Sequence, residues 1–142
     1  MNTADQYLRA LLLLERLEGP PVATGRLADV LEVSPASANE MIGKLADDAQ
    51  VEHEKYRGTV LTDRGRERAE AVLQTYCILE HFLANVLGVE EYRHEAASLE
   101  AVIDETVAER LDTIIDRHDD CPSCFDVEAD RCRYLGSDQL AD

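Results

Sequence analysis

The sequence predicts a mainly α protein in which a single β-hairpin interrupts a series of short amphipathic helices. Apolar residues recur at helical spacing in six segments, and capping residues precede most of them. Only residues 51–61 combine strand-forming residues with a glycine-containing turn. The 142 residues are enough for one ordinary domain or two small ones. Because aromatic residues are only 5% of the chain and tryptophan is absent, the core must be largely aliphatic.

Three helices are predicted at the start of the chain. The segment Thr3–Gln6 resembles a capping box and opens the first helix, which Gly19–Pro21 ends. Thr24 caps a short second helix. After a tight turn, Ser34 and Pro35 open the third, since serine is a favoured cap and proline fits the first helical position.

A β-hairpin follows the third helix. Its strands are predicted at Val51–Glu54 and Thr59–Leu61, and Gly58 before the second strand tolerates a positive φ. Three helices followed by a two-stranded hairpin form a winged helix-turn-helix, in which the third helix presents its polar face to the major groove of DNA. We therefore predict an N-terminal winged helix-turn-helix followed by further helices.

The rest of the chain is predicted to be helical up to a polar tail. Thr62 caps a long helix that ends at about Leu87, before Gly88, and further helices are expected at residues 90–101 and 105–117. No apolar run approaches the roughly 18 to 20 residues that cross a bilayer. Because the first residues also lack a signal peptide, we expect a cytoplasmic protein.

Charge is distributed unevenly along the chain. Fourteen basic residues face thirty acidic ones, for a net charge of −16, and only two of the basic residues are lysines. This composition is typical of a halophilic protein, because the screening length falls to about 3 Å at 1 M salt; a solubilising surface charge is the alternative. Residues 55–68 reverse the trend with a net charge of +3. We call this segment the basic island.

The basic island covers the wing and the first turn of the long helix, so we predict that the winged domain binds DNA. Serine and asparagine bond phosphates and base edges, glutamate accepts from cytosine, and basic side chains reach phosphates. The predicted DNA-binding residues are Ser34, Pro35, Ser37, Asn39, Glu40, Lys44, Lys55, Arg57 and Arg64, with Arg66 as a further phosphate contact. A dimeric winged-helix module that docks on proteins and senses no metal is the alternative.

Several segments are similar to the diphtheria-toxin-repressor family of metal-dependent iron and manganese regulators. The similarity spans residues 5–111 and is carried by Tyr7–Ala10, Val33–Ser37 with Met41, Glu54–Gly58 with Leu61 and Thr62, Leu79–Glu80 with Phe82–Leu83, and His94–Ala96 with Leu99–Glu100. The resemblance implies a homodimer, a palindromic operator and repression when metal is bound, as in an acidic, haloarchaeal-like member. The domains would be a DNA-binding domain (1–70), a helical dimerisation domain (71–117) and a cysteine-containing tail (118–142). Nothing in the chain supports catalysis.

The resemblance also implies metal ligands, most of which are replaced here. Near the start of the chain, the family's Met or Asp falls on Gln6, and a Glu found in some members falls on Arg9. Further along, the family's His falls on Tyr76, its Cys or Glu on Ala97, and a second His on Ala101. The carboxylates of Glu80 and Glu100 are kept. With His81 or His94 nearby, they would form at best a weak site for a hard cation.

The tail carries a different set of donors. His118, Cys121, Cys124 and Cys132 match a tetrahedral site for a transition metal ion such as Fe, Zn or Mn, or for an iron–sulfur centre. Three interpretations stay open: a metal or redox sensor, a structural zinc site, or free thiols with a reversible Cys121–Cys124 disulfide. A thiol–disulfide enzyme would need a thioredoxin-like context that is missing. Cys77, beside the apolar stripe of the long helix, is predicted to be buried.

Overall fold

The computed structural model describes residues 2–116, 125–129 and 131–132. The chain divides into two compact units, which we call the N-terminal unit (residues 2–71) and the C-terminal unit (from residue 72). The boundary between them falls inside the fourth helix. Both units are mainly helical, so the predicted fold class is confirmed. Among the described residues, no helix combines the length and apolarity needed to span a membrane.

The N-terminal unit is a winged helix-turn-helix. Its elements are α1 (Thr3–Glu18), α2 (Thr24–Leu31), α3 (Pro35–Asp47), β1 (Val51–Glu54), β2 (Gly58–Leu61) and the first part of α4 (Asp63–His81). Helix α1 packs against α2, α3 and β2. Its leucines Leu8, Leu11 and Leu12 are buried, together with Leu27 of α2 and Ala38 of α3. The core is aliphatic, as the composition predicts.

Local capping signals set the start of two helices as predicted. The hydroxyl oxygen of Ser34 accepts a hydrogen bond from the backbone N–H of Ser37 at 3.1 Å, and Pro35 is the first residue of α3. The hydroxyl oxygen of Thr62 accepts from the backbone N–H of Gly65 at 3.1 Å. Each bond satisfies one of the N–H groups that a helix start leaves without an intrahelical acceptor.

Two predicted caps were wrong. Helix α1 is capped by Asn2, whose side-chain oxygen accepts from the backbone N–H of Asp5 at 2.8 Å, so Thr3 is already helical. Helix α2 starts one residue earlier than its predicted cap implies, since Ala23 occupies the cap position and Thr24 is the first helical residue. Alanine has no side-chain acceptor, so this start depends on packing.

The wing is an antiparallel hairpin in which Val51 pairs with Leu61 and Glu54 with Gly58. Val22 forms an isolated β-bridge with Thr59 through two backbone hydrogen bonds of 2.9 Å. Gly58 has a φ of +130°, and a Cβ at this position would overlap the carbonyl group of Val22. Only glycine satisfies both conditions, which confirms the positive φ predicted here.

The C-terminal unit departs further from the predicted helix bounds. Helix α4 stops at His81 and continues as a π-helical turn, Phe82–Val86, although one α-helix to Leu87 was expected. Helices α5 (Tyr92–Glu100) and α6 (Glu105–Asp112) follow, and α6 is shorter than predicted. A short antiparallel hairpin, β3 (Phe125–Asp126) and β4 (Arg131–Cys132), was not predicted. We call residues 125–132 the tail hairpin.

Candidate nucleic-acid interface and metal centre

The nine side chains predicted to contact DNA all lie on the surface of the N-terminal unit. They lie on three segments, which are α3 with its cap, the wing and the first turn of α4. The exposed residues are Ser34, Pro35, Ser37, Asn39, Glu40, Lys44, Lys55, Arg57 and Arg64. All nine are therefore accessible to a ligand in the single chain.

Helix α3 is anchored on one face and polar on the other. Ala38, Ile42 and Leu45 are buried at helical spacing against the rest of the unit. On the polar face the Ser34 hydroxyl donates to the Ser37 hydroxyl at 3.0 Å. Because the Ser34 hydroxyl is occupied by capping, Ser37 is the serine whose own O–H proton remains available for a phosphate.

Three of the four predicted basic contacts are paired with exposed carboxylates. The pairs are Lys44–Glu40 at 4.0 Å, Arg57–Glu54 at 3.4 Å and Arg64–Asp48 at 3.6 Å. Surface ion pairs of this kind contribute about 0 to 1 kcal/mol. Each basic side chain can therefore exchange its carboxylate for a phosphate at little cost.

The other two arginines of the basic island pair with buried carboxylates, and each side chain stays 41% exposed. Arg66 lies 2.9 Å from the carboxylate of Glu15. Arg68 forms a bidentate pair with Asp5, through bonds of 2.9 and 2.8 Å. Both carboxylates are buried. Arg66 therefore compensates a buried charge within the unit, and its contact with phosphates stays a prediction.

The wing tip carries an aromatic residue that the sequence interpretation left out. Tyr56 has a φ of +68° and its side chain is 93% exposed. The ammonium group of Lys55 lies 5.2 Å from the centroid of its ring, within cation–π distance. An exposed aromatic residue in a short basic turn is the signal that would have placed it on the candidate interface.

In the C-terminal unit, the ligand positions implied by the family resemblance do not form a metal site. The Tyr76 ring packs edge to face on Phe125 with centroids 5.9 Å apart, so this position serves packing. Ala97 and Ala101 are exposed and offer no donor side chain. Among the described residues, no three His, Cys, Asp or Glu side chains lie close enough to hold an ion. The residues present therefore do not fit that ligand set.

The retained carboxylates and one tail cysteine are nevertheless buried. Glu80 is fully buried and Glu100 is 3% exposed. Of the predicted tail ligands, His118, Cys121 and Cys124 lie outside the described residues. Cys132 is fully buried in β4, and its sulfur lies 3.5 Å from Nε2 of His81.

His81 was considered from the sequence only as an aid to the two carboxylates, and its partner Cys132 lies 51 positions along the chain. The local signal is the spacing of Cys77 and His81, four residues apart on α4, which places both side chains on one face. Both residues are buried, as predicted for Cys77.

Two family models match the chain in succession. The N-terminal DNA binding domain of the iron dependent repressors matches residues 1–59, and their metal binding and dimerisation domain matches residues 62–124. The chain belongs to the iron dependent repressor family. Members of this family are transcriptional regulators rather than enzymes, and the family's second domain binds metal.

Individual relatives agree with this assignment. An uncharacterized HTH-type transcriptional regulator of Methanocaldococcus jannaschii is 30% identical over 121 residues, which is 84% of this chain and 97% of that protein. The HTH-type transcriptional regulator MntR of Listeria welshimeri is 28% identical over 103 residues, 71% of this chain and 72% of that protein. A manganese-dependent transcriptional repressor in complex with manganese is 33% identical, with a TM-score of 0.69 over 79% of this chain. This chain spans about half the length of that solved structure, at 52%.

Proposed function

We propose that the protein is a homodimeric, sequence-specific DNA-binding repressor of metal-homeostasis genes and that a transition metal ion controls it. One observation carries the DNA-binding part: α3, the wing and the first turn of α4 expose all nine predicted contacts, whereas Arg66 and Arg68 of the same basic island pair with buried carboxylates. Family membership supports the metal-controlled part. A repressor of this kind acts in the cytoplasm, where its operator lies.

The proposed metal donors are in the tail rather than at the positions used by the family. His118, Cys121, Cys124 and Cys132 supply one imidazole and three thiolates, which suit Zn²⁺ or Fe²⁺ better than Mn²⁺ because thiolates are soft ligands. An iron–sulfur centre uses the same donor type. When bound, the ion would hold the tail in one conformation.

The DNA-binding proposal is tested by measuring affinity for a palindromic promoter fragment by fluorescence anisotropy. Lys44→Glu and Arg57→Glu should each weaken binding by about tenfold or more, because each reverses a charge that faces phosphates or base edges. Arg110→Glu is the matched control, since it makes the same charge change on an exposed residue of α6. If no fragment binds specifically, the protein is a protein-docking module instead.

The tail proposal is tested by replacing Cys121 and Cys124 with serine and measuring operator affinity with and without metal and oxidant. We expect the affinity of the variant for the operator to stop responding to metal. Without metal, the variant should bind the operator as the metal-free wild-type protein does. Elemental analysis of protein purified without chelators gives the ion and its ratio to the subunit. Unchanged responses under all conditions would exclude the tail as the sensor.

A further inference from the structure

The tail hairpin places a thiol against an imidazole of α4. The sulfur of Cys132 lies 3.5 Å from Nε2 of His81. Cys132 is fully buried and His81 is 4% exposed, so bulk water has little access to either group. A thiolate and a neutral imidazole are the two side chains that zinc prefers.

The position of the tail hairpin is set by contacts other than the thiol itself. Phe125, which pairs with Cys132 across the two strands, packs its ring on Tyr76, five residues before His81 on α4. Arg93 of α5 donates to the backbone carbonyl of Ala129 in the turn at 3.0 Å. These contacts bring the thiol to the imidazole without requiring a bond between them.

The hairpin turn is also formed locally. The carboxylate of Asp126 accepts from the backbone N–H groups of Glu128 and Ala129 at 3.0 and 3.2 Å. This arrangement is an Asx-type turn, in which the side chain bonds the backbone a few residues on. Cys132 therefore reaches α4 from an ordered turn.

The separation of the two donors equals that of two ligands on one tetrahedral ion. With a Zn–S distance of about 2.3 Å, a Zn–N distance of about 2.0 to 2.1 Å and a tetrahedral angle, sulfur and nitrogen are about 3.5 Å apart. The observed 3.5 Å matches this value. A thiol–imidazole hydrogen bond has a similar length, so the experiment must separate the two arrangements.

We propose that His81 and Cys132 are two ligands of a thiolate-preferring tetrahedral ion of the Zn²⁺ class, which joins the tail hairpin to α4. The inference rests on the proposed function in one respect: it names the imidazole of the tail site as His81 in place of His118. Because a π-helical turn begins directly after His81, the ion would hold the end of the regular helix.

The test is a Co²⁺ titration of the full chain, reduced and free of other metals. Cobalt in a tetrahedral site with thiolate ligands gives strong visible bands and a sulfur-to-metal charge-transfer band. We expect both bands in the wild-type protein, and we expect His81→Ala and Cys132→Ser to weaken affinity at least about tenfold in chelator competition. Cys132→Ser should also reduce the charge-transfer band, since one sulfur is removed.

Two other histidines provide matched controls. His94→Ala removes an exposed imidazole on α5 and should leave both bands and the affinity unchanged. His118→Ala tests the imidazole predicted from the sequence. If it weakens binding while His81→Ala does not, the proposed ligand is wrong. A wild-type protein without a charge-transfer band would also overturn the proposal, because the pair would then be a hydrogen bond.

Helix content by circular dichroism shows whether each variant folds. If His81→Ala does not fold, Cys132→Ser alone tests the proposal. Operator binding is measured on the same samples. Cobalt binding without operator binding would refute the proposed function and leave the metal ligands in place. Operator binding with unaltered cobalt affinity in both variants would refute the ligands and leave the DNA-binding function in place.

Discussion

The two units bury their charged and polar side chains in different surroundings. In the N-terminal unit the buried carboxylates of Asp5 and Glu15 each contact an arginine of α4 at 2.8 to 2.9 Å. Among its described residues, the C-terminal unit buries five side chains of the types that ligate metals: Cys77, Glu80, His81, Glu100 and Cys132. The first unit therefore pairs its buried carboxylates with arginines, whereas the second buries side chains of the types that an ion would use.

The largest expected effect concerns the junction between the wing and α4 in the N-terminal unit. A Cβ on Gly65 would overlap the backbone carbonyl of Gln50, and neither backbone can move without disturbing the helix cap at Thr62. Gly65→Ala should lower the free energy of unfolding by about 3 kcal/mol, measured by urea denaturation.

Gly43→Ala is the control for this substitution. Gly43 lies within α3 with open space around the position of its missing Cβ. Alanine there should raise the free energy of unfolding by about 0.5 to 1 kcal/mol, because glycine loses more backbone freedom in a helix. Equal effects from the two substitutions would contradict the close contact at Gly65.

The next prediction compares the stability contributed by an ion pair with a buried carboxylate and by an ion pair on the surface. Arg68→Met removes the bidentate partner of Asp5 and leaves a buried carboxylate, so stability should fall by about 2 kcal/mol. Arg64→Met removes an exposed partner of Asp48 and should change stability by less than about 0.5 kcal/mol. In operator binding the order should reverse, with Arg64→Met the more damaging. If Arg68→Met were the more damaging variant in both assays, the division of the basic island into internally paired and surface arginines would be wrong.

These pairs also show where sequence reasoning reaches its limit. Ser34, Thr62 and Gly58 were predicted because each acts on backbone groups a few residues away, or on a turn that needs its φ. The partners of Arg66 and Arg68 lie 51 and 63 positions away. A charge count over residues 55–68 therefore includes two cations that are paired with buried carboxylates of the same unit.

The same limit applies to the C-terminal unit. The tail cysteines stood out by their spacing in the sequence, yet the imidazole beside Cys132 is 51 positions away and was not selected as its partner. The change from α-helix to π-helical turn after His81 also follows from no local residue preference. Such features depend on which segments pack together, and a single sequence specifies that only indirectly.

A smaller effect is expected in the salt dependence of operator binding. DNA binding normally weakens with salt because phosphates release counterions. Here Lys44, Arg57 and Arg64 each leave a carboxylate that then takes up a cation, so release and uptake largely cancel. We expect a flat or reversed slope of log affinity against log salt.

Removing one carboxylate should restore part of the ordinary weakening of DNA binding as salt rises. Glu54→Gln leaves Arg57 without its acidic neighbour, so the slope should steepen by about one, or about tenfold in affinity for each tenfold rise in salt. Glu90→Gln, on an exposed acid of the C-terminal unit, should leave the slope unchanged. A steep wild-type slope, or an unchanged slope in Glu54→Gln, would show that the surface pairs do not take part.

The smallest effect separates a helix start set by a side chain from one set by packing. Ser34→Ala removes the acceptor for the Ser37 N–H and should cost about 1 kcal/mol of stability in urea denaturation. Thr24→Ala should cost less than half of that, because α2 begins after Ala23 and no side chain caps it. Equal costs would mean that Thr24 contributes a bond comparable to that of Ser34. The expected difference would show that α3, which carries the predicted base contacts, starts at a residue set by its own sequence, whereas α2 takes its start from its neighbours.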